Sequence, residues 1–274
     1  MKSALLDSAV TDGSTRTIAA GVPPCIVLNR VQLRYQTERG FIDALADIDV
    51  TIEEGEFVAL LGPTGCGKSS LLRLVSDLVE PTAGSVLVRG NPARAARRSN
   101  EFGFVFQEPA LLSWRNALEN VHLPLEVVGY PAEKRIARCE QLLDSVGLLK
   151  FKENYPHELS GGMKQRVALV RALAWNPSIL LMDEPFSALD ELTKAQLQDD
   201  LLQIWSVERK TILFVTHNIS ESVYLADRVV VMSPQPGRIK AVLPIHLPRP
   251  RSESLRETLE FLAQVRQARE ALRS

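Results

Sequence analysis

A glycine-rich loop between a buried strand and a helix constrains this chain more than any other feature. Phe57–Leu61 is a continuous apolar run, typical of a buried parallel strand, and an amphipathic run from Leu71 to Leu78 follows the loop. The loop itself, Gly62–Ser69, fits the pattern G-x-x-x-x-G-K-[ST], in which backbone N–H groups and the positive end of the next helix cradle phosphates. A strand, this loop and a helix in that order predict an α/β fold that binds a nucleoside triphosphate.

The residue types in the loop suit contact with phosphate and magnesium. Glycine lets the backbone come close to a ligand because it has no side chain. We expect Lys68 to reach the β- and γ-phosphates and the Ser69 hydroxyl to ligate Mg²⁺, so that ATP and Mg²⁺ are the predicted cofactors. The predicted nucleotide-binding residues of this segment are Gly62, Pro63, Thr64, Gly65, Cys66, Gly67, Lys68, Ser69 and Ser70.

Polar side chains follow three further apolar runs. Asp183 and Glu184 end one predicted strand, Gln107 ends a second and His217 ends a third. Because ligands of open α/β sheets bind at the carboxyl ends of the strands, we expect these side chains to face the nucleotide. Asp183 is predicted to hold Mg²⁺, directly or through water, and Glu184 to orient and deprotonate the attacking water.

Gln107 and His217 are predicted to be functional only because they accompany the phosphate loop and the acidic pair. A lone glutamine or histidine is ordinarily structural or exposed. The Gln107 amide is predicted to reach both Mg²⁺ and the attacking water. A neutral His217 imidazole is predicted to contact the γ-phosphate and to hold Glu184 in place. The predicted catalytic residues are therefore Glu184, His217 and Gln107, and the predicted metal ligands are Ser69, Gln107 and Asp183.

A second glycine turn, Leu159–Gln165, lies between the phosphate loop and the acidic strand end. Ser160, Gly161 and Gly162 open a predicted helix and supply another set of backbone N–H groups suited to a γ-phosphate. One subunit cannot easily fold both sets onto the same nucleotide. We therefore predict a homodimer that holds ATP between two copies. A plain P-loop kinase or GTPase would leave this turn without a purpose.

Stacking on the adenine ring is assigned to Tyr35, which ends the first predicted strand ahead of the phosphate loop. Phe41 is the competing candidate. Packing in the core is the other explanation for either side chain.

The order of strand and helix patterns predicts the domain organisation. Alternating apolar residues in Ile26–Tyr35 and Ile48–Ile52 predict an antiparallel layer, and the later alternation of strands with helices predicts a parallel sheet. The predicted fold class is α/β: a P-loop NTPase (RecA-like) parallel-sheet core with an antiparallel β layer and an inserted helical subdomain. The predicted units are a disordered tail (1–24), an ATPase domain (25–250, with the helical subdomain at about 108–166) and an amphipathic C-terminal helix (251–274) that packs on its own domain.

Composition restricts the partners. The formal net charge of -1 argues against a strongly basic surface, so we expect no nucleic-acid partner. The three cysteines form no CxxC pair and are interpreted as cytosolic thiols. No apolar run approaches the ~18 residues of a membrane-spanning helix. A membrane role is therefore expected to come through a partner.

Together these residues resemble the ATP-binding subunits of ABC transporters, and the resemblance extends from Ile26 to Pro250. Six elements in the right order make the set highly specific. They are Gly62–Ser69, Gln107, Leu159–Gln165, Asp183–Glu184, Ser187–Asp190 and His217.

The resemblance implies a head-to-tail dimer in which ATP on Lys68 of one copy meets the partner's Ser160 and Gly162. It also implies that Asp190 lies across the interface. The implied assembly adds two integral-membrane permease subunits and an extracytoplasmic substrate-binding protein. The chain would then lie at the cytoplasmic side of the cell inner membrane as a peripheral subunit, and ATP hydrolysis would drive cycling of the membrane partners.

Four further segments look like the importer branch for nitrate, sulfonates and taurine. Two small departures from the family pattern are Ser70, where many members have threonine, and Asn218, where aspartate often follows the histidine. The segments that carry the branch resemblance are Leu111–Arg115, Glu184–Asp190, Ala226–Pro234 and Pro236–Ile239.

Two questions stay open at this point. By the same resemblance, Leu111–Asn120 receives a short cytoplasmic helix of the permease, and exposed Leu112 and Trp114 would suit a partner groove. The alternative is that both side chains pack inside the helical subdomain.

A soluble ABC ATPase acting on DNA or on the ribosome is the other class of function. Such relatives usually carry a long coiled-coil insertion, zinc-binding cysteines or two ATPase halves, and this sequence has none of them.

Overall fold

The structure, a computed structural model, describes residues 23–38 and 40–273. The predicted disordered tail therefore lies outside the described residues, apart from Pro23 and Pro24. The strands are β1 (Ile26–Thr37), β2 (Gly40–Ile52), β3 (Phe57–Leu61), β4 (Ala83–Val88), β5 (Asn91–Pro92), β6 (Phe102–Val105), β7 (Ile179–Asp183), β8 (Thr211–Thr216), β9 (Arg228–Met232) and β10 (Ile239–Pro244). The helices are α1 (Lys68–Val75), α2 (Ala93–Arg98), α3 (Ala117–Val127), α4 (Ala132–Ser145), α5 (Gly161–Leu173), α6 (Glu191–Glu208), α7 (Ile219–Leu225) and α8 (Leu259–Arg273).

Over the described residues the strands form two sheets. One has four strands in the order β2-β1-β4-β5 and is antiparallel. The other has six strands in the order β10-β9-β3-β8-β7-β6 and is parallel except for β10. Helices α3 and α4 and the start of α5 fall within the predicted helical insertion, between β6 and β7. The predicted fold class is confirmed.

The central strands are apolar throughout because both faces of the larger sheet are covered. Along β3, Phe57, Ala59 and Leu61 join one buried cluster, whereas Val58 and Leu60 join the other. The first cluster contains an aromatic group in which the Phe57 ring centroid lies 6.0 Å from that of Phe214 and 6.1 Å from that of Trp205. A continuous apolar run thus fixes the strand that delivers the phosphate loop.

Two local predictions are wrong. Five prolines and Gly237, from Pro234 to Pro250, predict turns and a linker, but within this segment Ile239–Pro244 forms edge strand β10, which pairs with β9. Its period-2 pattern ends in one proline, Pro244, which an edge strand tolerates. The sequence also places Leu78 on the apolar side of α1, but the helix ends at Val75 and Leu78 is 59% exposed.

The C-terminal helix packs on its own chain, against α7 and the neighbouring edge of the larger sheet. Its buried stripe is Phe261, Val265 and Ala268. The apolar residues that predict this helix are Leu255, Leu259, Leu262, Val265 and Leu272. Val265 is buried, and Leu255 and Leu272 pack against the core, whereas Leu259 and Leu262 are 82% and 51% exposed. The predicted face is therefore wrong at Leu259 and Leu262.

Candidate nucleotide-binding site

An open cavity of about 690 Å³ lies at the carboxyl ends of β3, β6, β7 and β8. Ten predicted site residues line it: Tyr35, Thr64, Gly65, Gly67, Lys68, Ser69, Ser70, Gln107, Glu184 and His217. Five lining residues were not predicted as site residues: Ser187 and Ala188, which belong to the Ser187–Asp190 element, and Ile42, Ala44 and Gln235. The other predicted site residues are not among the lining residues. Gly62, Pro63 and Cys66 belong to the loop itself, and Asp183 bonds to its Ser69. The remaining four are Ser160, Gly161, Gly162 and Asp190.

The phosphate loop is held against strand β2. Gly67 has φ 95°, in the left-handed region, and a Cβ there would lie 2.6 Å from Leu45 Cδ2 and 2.9 Å from the Ala44 carbonyl oxygen. Only glycine fits both the backbone conformation and the space. This glycine precedes α1 directly, so the first N–H groups of α1 open toward the cavity.

Lys68 lies at the floor of the loop and is 5% exposed. Its Nζ donates hydrogen bonds of 2.9 Å to the carbonyl oxygens of Gly62 and Pro63. The same Nζ is 3.8 Å from Glu184 Oε1. The ammonium group is thus anchored between the loop and the end of β7, where it can meet a phosphate oxygen.

Oxygen ligands suited to Mg²⁺ meet beside the lysine. The Ser69 hydroxyl donates a 2.8 Å hydrogen bond to Asp183 Oδ1, and Gln107 lines the same cavity. Burial raises the pKa of the Asp183 carboxyl above its usual range, and the hydrogen bond from Ser69 opposes that rise. Within the described ranges no three His, Cys, Asp or Glu side chains cluster to hold a metal by themselves. A hydroxyl, one carboxylate and nucleotide phosphates are the set that Mg²⁺ commonly takes.

Glu184 and His217 form a close pair at the ends of β7 and β8. His217 Nδ1 lies 2.8 Å from Glu184 Oε2. Glu184 has φ 45° and donates its N–H to the Val215 carbonyl, 3.0 Å away. A non-glycine residue in this left-handed conformation costs about 1–3 kcal/mol and is often found at functional sites. The neighbouring strand therefore holds the carboxylate that the sequence predicts as the base.

The second glycine turn packs against the start of α6 and not on the cavity. Ser160 is the N-cap of α5, and its Oγ accepts a 3.3 Å hydrogen bond from the Met163 N–H. Asp190 is the N-cap of α6, where Oδ1 accepts a 3.0 Å bond from the Thr193 N–H. This backbone hydrogen bond holds the pKa of Asp190 below its usual range. Both residues cap their own helices and are exposed at the surface.

Tyr35, and not Phe41, lies at the cavity. The Tyr35 hydroxyl is 3.2 Å from the Ser70 hydroxyl, whereas Phe41 is 69% exposed and lines no part of the cavity. Gln235 reaches the same end of the site from the turn after β9, and its Nε2 donates to the Asp43 carbonyl, 3.2 Å away. No local pattern marks Gln235, because it is 200 residues from Tyr35 in the sequence.

Trp114 and Leu112 do not share one environment. Trp114 is 71% exposed, whereas Leu112, two residues earlier, lines a mainly apolar groove of about 450 Å³ that Trp114 does not line. Buried Asn120 fixes this loop, since its Oδ1 accepts from the Leu112 N–H at 2.8 Å and its Nδ2 donates to the Arg115 carbonyl at 2.9 Å. The groove is also lined by Phe102, Phe104, Phe106, Leu123, Pro124, Val127 and Trp175.

Comparison with known proteins agrees with this geometry. The family model described as ABC transporter matches residues 45–187. A nitrate import ATP-binding protein of Synechocystis sp. is 45% identical over 81% of this chain and 81% of its own length. An aliphatic sulfonates import ATP-binding protein of Bacillus cereus is 38% identical over 88% of this chain and 94% of its own. A solved dimeric post-hydrolysis state of an ATP-binding cassette with ADP and Pi has a TM-score of 0.73 and 33% identity, covering 81% of this chain and 100% of that one.

The phosphate loop, the acidic strand end and the parallel sheet define a P-loop ATPase. This chain belongs to the ABC transporter family and is an ATP hydrolase of the kind that powers transport. No helix within residues 23–38 and 40–273 is both long and apolar enough to cross a bilayer.

Proposed function

We propose that this chain is the ATP-hydrolysing subunit of an ABC importer that takes up a small anion, such as an aliphatic sulfonate, taurine or nitrate. The named functions of two relatives support the solute class. The observation that carries the catalytic part is the contact of Glu184 with both Lys68 and His217 at the mouth of the phosphate loop. The alternatives are an importer for another small solute and a soluble ABC ATPase.

The reaction is attack of water on the γ-phosphate of ATP, with cleavage of the β–γ bond. Glu184 accepts the proton of the water, and His217 holds that carboxylate through the 2.8 Å contact. Lys68 and the N–H groups of the loop stabilise charge on the phosphate oxygens. Ser69, Asp183 and Gln107 would hold Mg²⁺, which supplies further charge neutralisation when bound.

A homodimer completes the site. Ser160 and Asp190 lie outside the cavity of their own chain, so their proposed contacts are with nucleotide and residues of a second copy. The ATP-loaded dimer then closes, and hydrolysis lets it open. Solved relatives include dimeric cassettes, which supports this arrangement.

Glu184→Gln tests the proposal. The variant is expected to bind Mg-ATP, to lose hydrolysis by about 10²–10⁴-fold, and to accumulate as a dimer in size-exclusion chromatography with light scattering. Lys68→Ala is the matched control, because it should lose nucleotide binding and so stay monomeric with ATP. A Glu184→Gln variant that hydrolyses ATP at the parental rate, or that stays monomeric at high concentration, would contradict the proposal.

The permease is proposed to dock on the groove that Leu112 lines and on the exposed side chain of Trp114. An exposed indole and an apolar groove suit a short amphipathic helix, as expected for a partner at the cytoplasmic side of the membrane. Trp114→Ala should keep basal ATPase activity and lose co-purification with the permease. Val207→Ala, which changes an exposed apolar side chain (80% exposed) near the C-terminal end of α6, is the control.

The solute is tested in a deletion strain supplied with taurine, alkanesulfonates or nitrate as the sole source of sulfur or nitrogen. Failure to grow on one of them, restored by the parental gene but not by Glu184→Gln, would identify the class. Normal growth on all of them would favour another solute. The predicted extracytoplasmic binding protein is expected to bind the same solute.

A further inference from the structure

The turn that carries His217 is joined to the start of α6 by a buried carboxylate. Glu221, in the first turn of α7, has a relative exposure of 6%. Its Oε2 accepts a 2.7 Å hydrogen bond from the Thr216 hydroxyl, and its Oε1 lies 3.5 Å from Lys194 Nζ on α6. The Glu221 carboxylate therefore contacts Thr216, which directly precedes His217, and Lys194, which lies four residues after Asp190.

Hydrogen bonds between Thr216, Asn218 and Glu221 hold the turn that carries His217 in one conformation. Thr216 Oγ1 accepts the Asn218 N–H at 2.9 Å, and Asn218 Oδ1 accepts the Glu221 N–H at 3.1 Å. His217 is thus flanked on both sides by residues that bond to Glu221 or to its partner. A shift of the Glu221 side chain must move this turn, because buried hydrogen-bonded groups do not give up their partners cheaply.

The contacts on the α6 side lead to Asp190. The Lys194 N–H donates to the Asp190 carbonyl at 2.9 Å, so that both residues belong to the first turn of α6. Glu191 also lies 3.7 Å from Lys194 Nζ, but its side chain is 87% exposed and water screens that pair. The side chains of Lys194 and Glu221 are only 14% and 8% exposed. Their ion pair is therefore the stronger link.

We propose that Glu221 is a positioning residue that couples Asp190, at the proposed subunit contact, to the His217–Glu184 pair in the same chain. The coupling rests on the proposed dimer. When a second copy moves Asp190, the first turn of α6 carries Lys194 with it, and the Lys194–Glu221–Thr216 contacts transmit the shift to His217. Correct docking of two copies then sets the position of the carboxylate that accepts the proton.

Glu221→Gln breaks this link with little change of shape. Glutamine keeps an oxygen for the Thr216 hydroxyl but loses the charge that attracts Lys194. We expect kcat to fall about tenfold, within the range of coupling energies measured for residues of one network, while KM for ATP stays near its parental value. The melting temperature should also fall, because Lys194 loses its buried partner. Lys194→Met breaks the same link from the other side, so the double variant should be no slower than either single one.

A double-mutant cycle of Glu221→Gln with His217→Ala separates positioning from a merely structural role. In a His217→Ala background, Glu221→Gln should have no further effect on kcat, because the group that it positions is gone. Additive losses would overturn the proposal, as would a parental kcat in Glu221→Gln or a lowered melting temperature with unchanged kcat. The Lys152–Glu140 pair, 2.7 Å apart between α4 and the loop after it, offers matched controls. Lys152→Met and Glu140→Gln should leave kcat unchanged.

The proposed dimer is tested independently. Adding Glu221→Gln to Glu184→Gln should leave the ATP-dependent dimer intact, since neither Glu221 nor Lys194 is proposed to touch nucleotide. If Glu184→Gln fails to dimerise, the proposed function fails, whatever the kcat of Glu221→Gln. If the dimer forms and Glu221→Gln hydrolyses ATP at the parental rate, only the coupling fails.

Discussion

Replacing Gly162 with alanine tests how closely the second glycine turn packs against α6. A Cβ at Gly162 would lie 2.3 Å from Thr193 Cγ2, well inside the ordinary contact distance. Inserting a methyl group into a packed contact costs about 1–3 kcal/mol. Alanine also stabilises the helix by about 0.5–1 kcal/mol relative to glycine, because position 162 lies within α5. The net loss is about 1 kcal/mol, or about 2–4 °C in Tm for a chain of this size.

Thermal unfolding without nucleotide measures this loss, and Thr193→Ser provides the rescue. Serine has no Cγ2, and the next atoms of Thr193 lie 3.7 and 3.9 Å from the added Cβ, which is ordinary contact. Gly161→Ala is the matched control, since its Cβ would meet only Leu189 Cδ2, at 3.8 Å. It should raise Tm slightly or leave it unchanged.

Two results would refute this packing argument. One is a Gly162→Ala variant that melts at or above the parental temperature. The other is strict additivity of Gly162→Ala and Thr193→Ser, since atoms in direct contact should couple. The double variant also separates packing from ligand contact: if Gly162 approaches the nucleotide of the partner, ATPase activity stays low although Tm recovers.

Three further predictions follow from burial and hydrogen bonding. His217→Ala should lower kcat by about 10²-fold or more with little change in ATP affinity, since Glu184 loses the group that holds it; a parental kcat in a stopped-flow phosphate-release assay would contradict this. Burial raises the pKa of the Cys25 and Cys139 thiols to about 12 and about 11, so both should resist DTNB at pH 8 in the native protein and react only in denaturant; rapid native labelling would refute it. Asn120→Ala should destabilise the chain by about 1–3 kcal/mol in urea unfolding, because it leaves buried backbone groups unpaired; an unchanged midpoint would show that water replaces the amide.

Much of the fold was predictable because its signals are local. The apolar run of β3, the glycine loop and the start of α1 are contiguous in the sequence, so their order predicts the strand–loop–helix unit directly. The ends of the elements were predicted less accurately: the first strand was predicted to end at Tyr35, but β1 extends to Thr37. Edge strand β10 was missed because its pairing partner, and not its own composition, makes it a strand.

The nucleotide site was predictable wherever a polar residue directly follows an apolar strand. Asp183, Glu184 and His217 meet because β7 and β8 are hydrogen-bonded neighbours. The rule that ligands bind at the carboxyl ends of the strands predicts that these residues share an edge, whereas the strand order makes them adjacent. Their catalytic and metal-binding roles stay predictions that the variants above test.

The sequence by itself determined which residues can cradle phosphate and which strands are buried on both faces, since both depend on neighbours in the chain. Only the tertiary structure decided that Gln235 joins Tyr35 at the cavity, that Gly162 fits against Thr193, and that Glu221 links α6 to the His217 turn. These contacts join segments that are distant in sequence. They depend on strand order and helix packing, which no local pattern records.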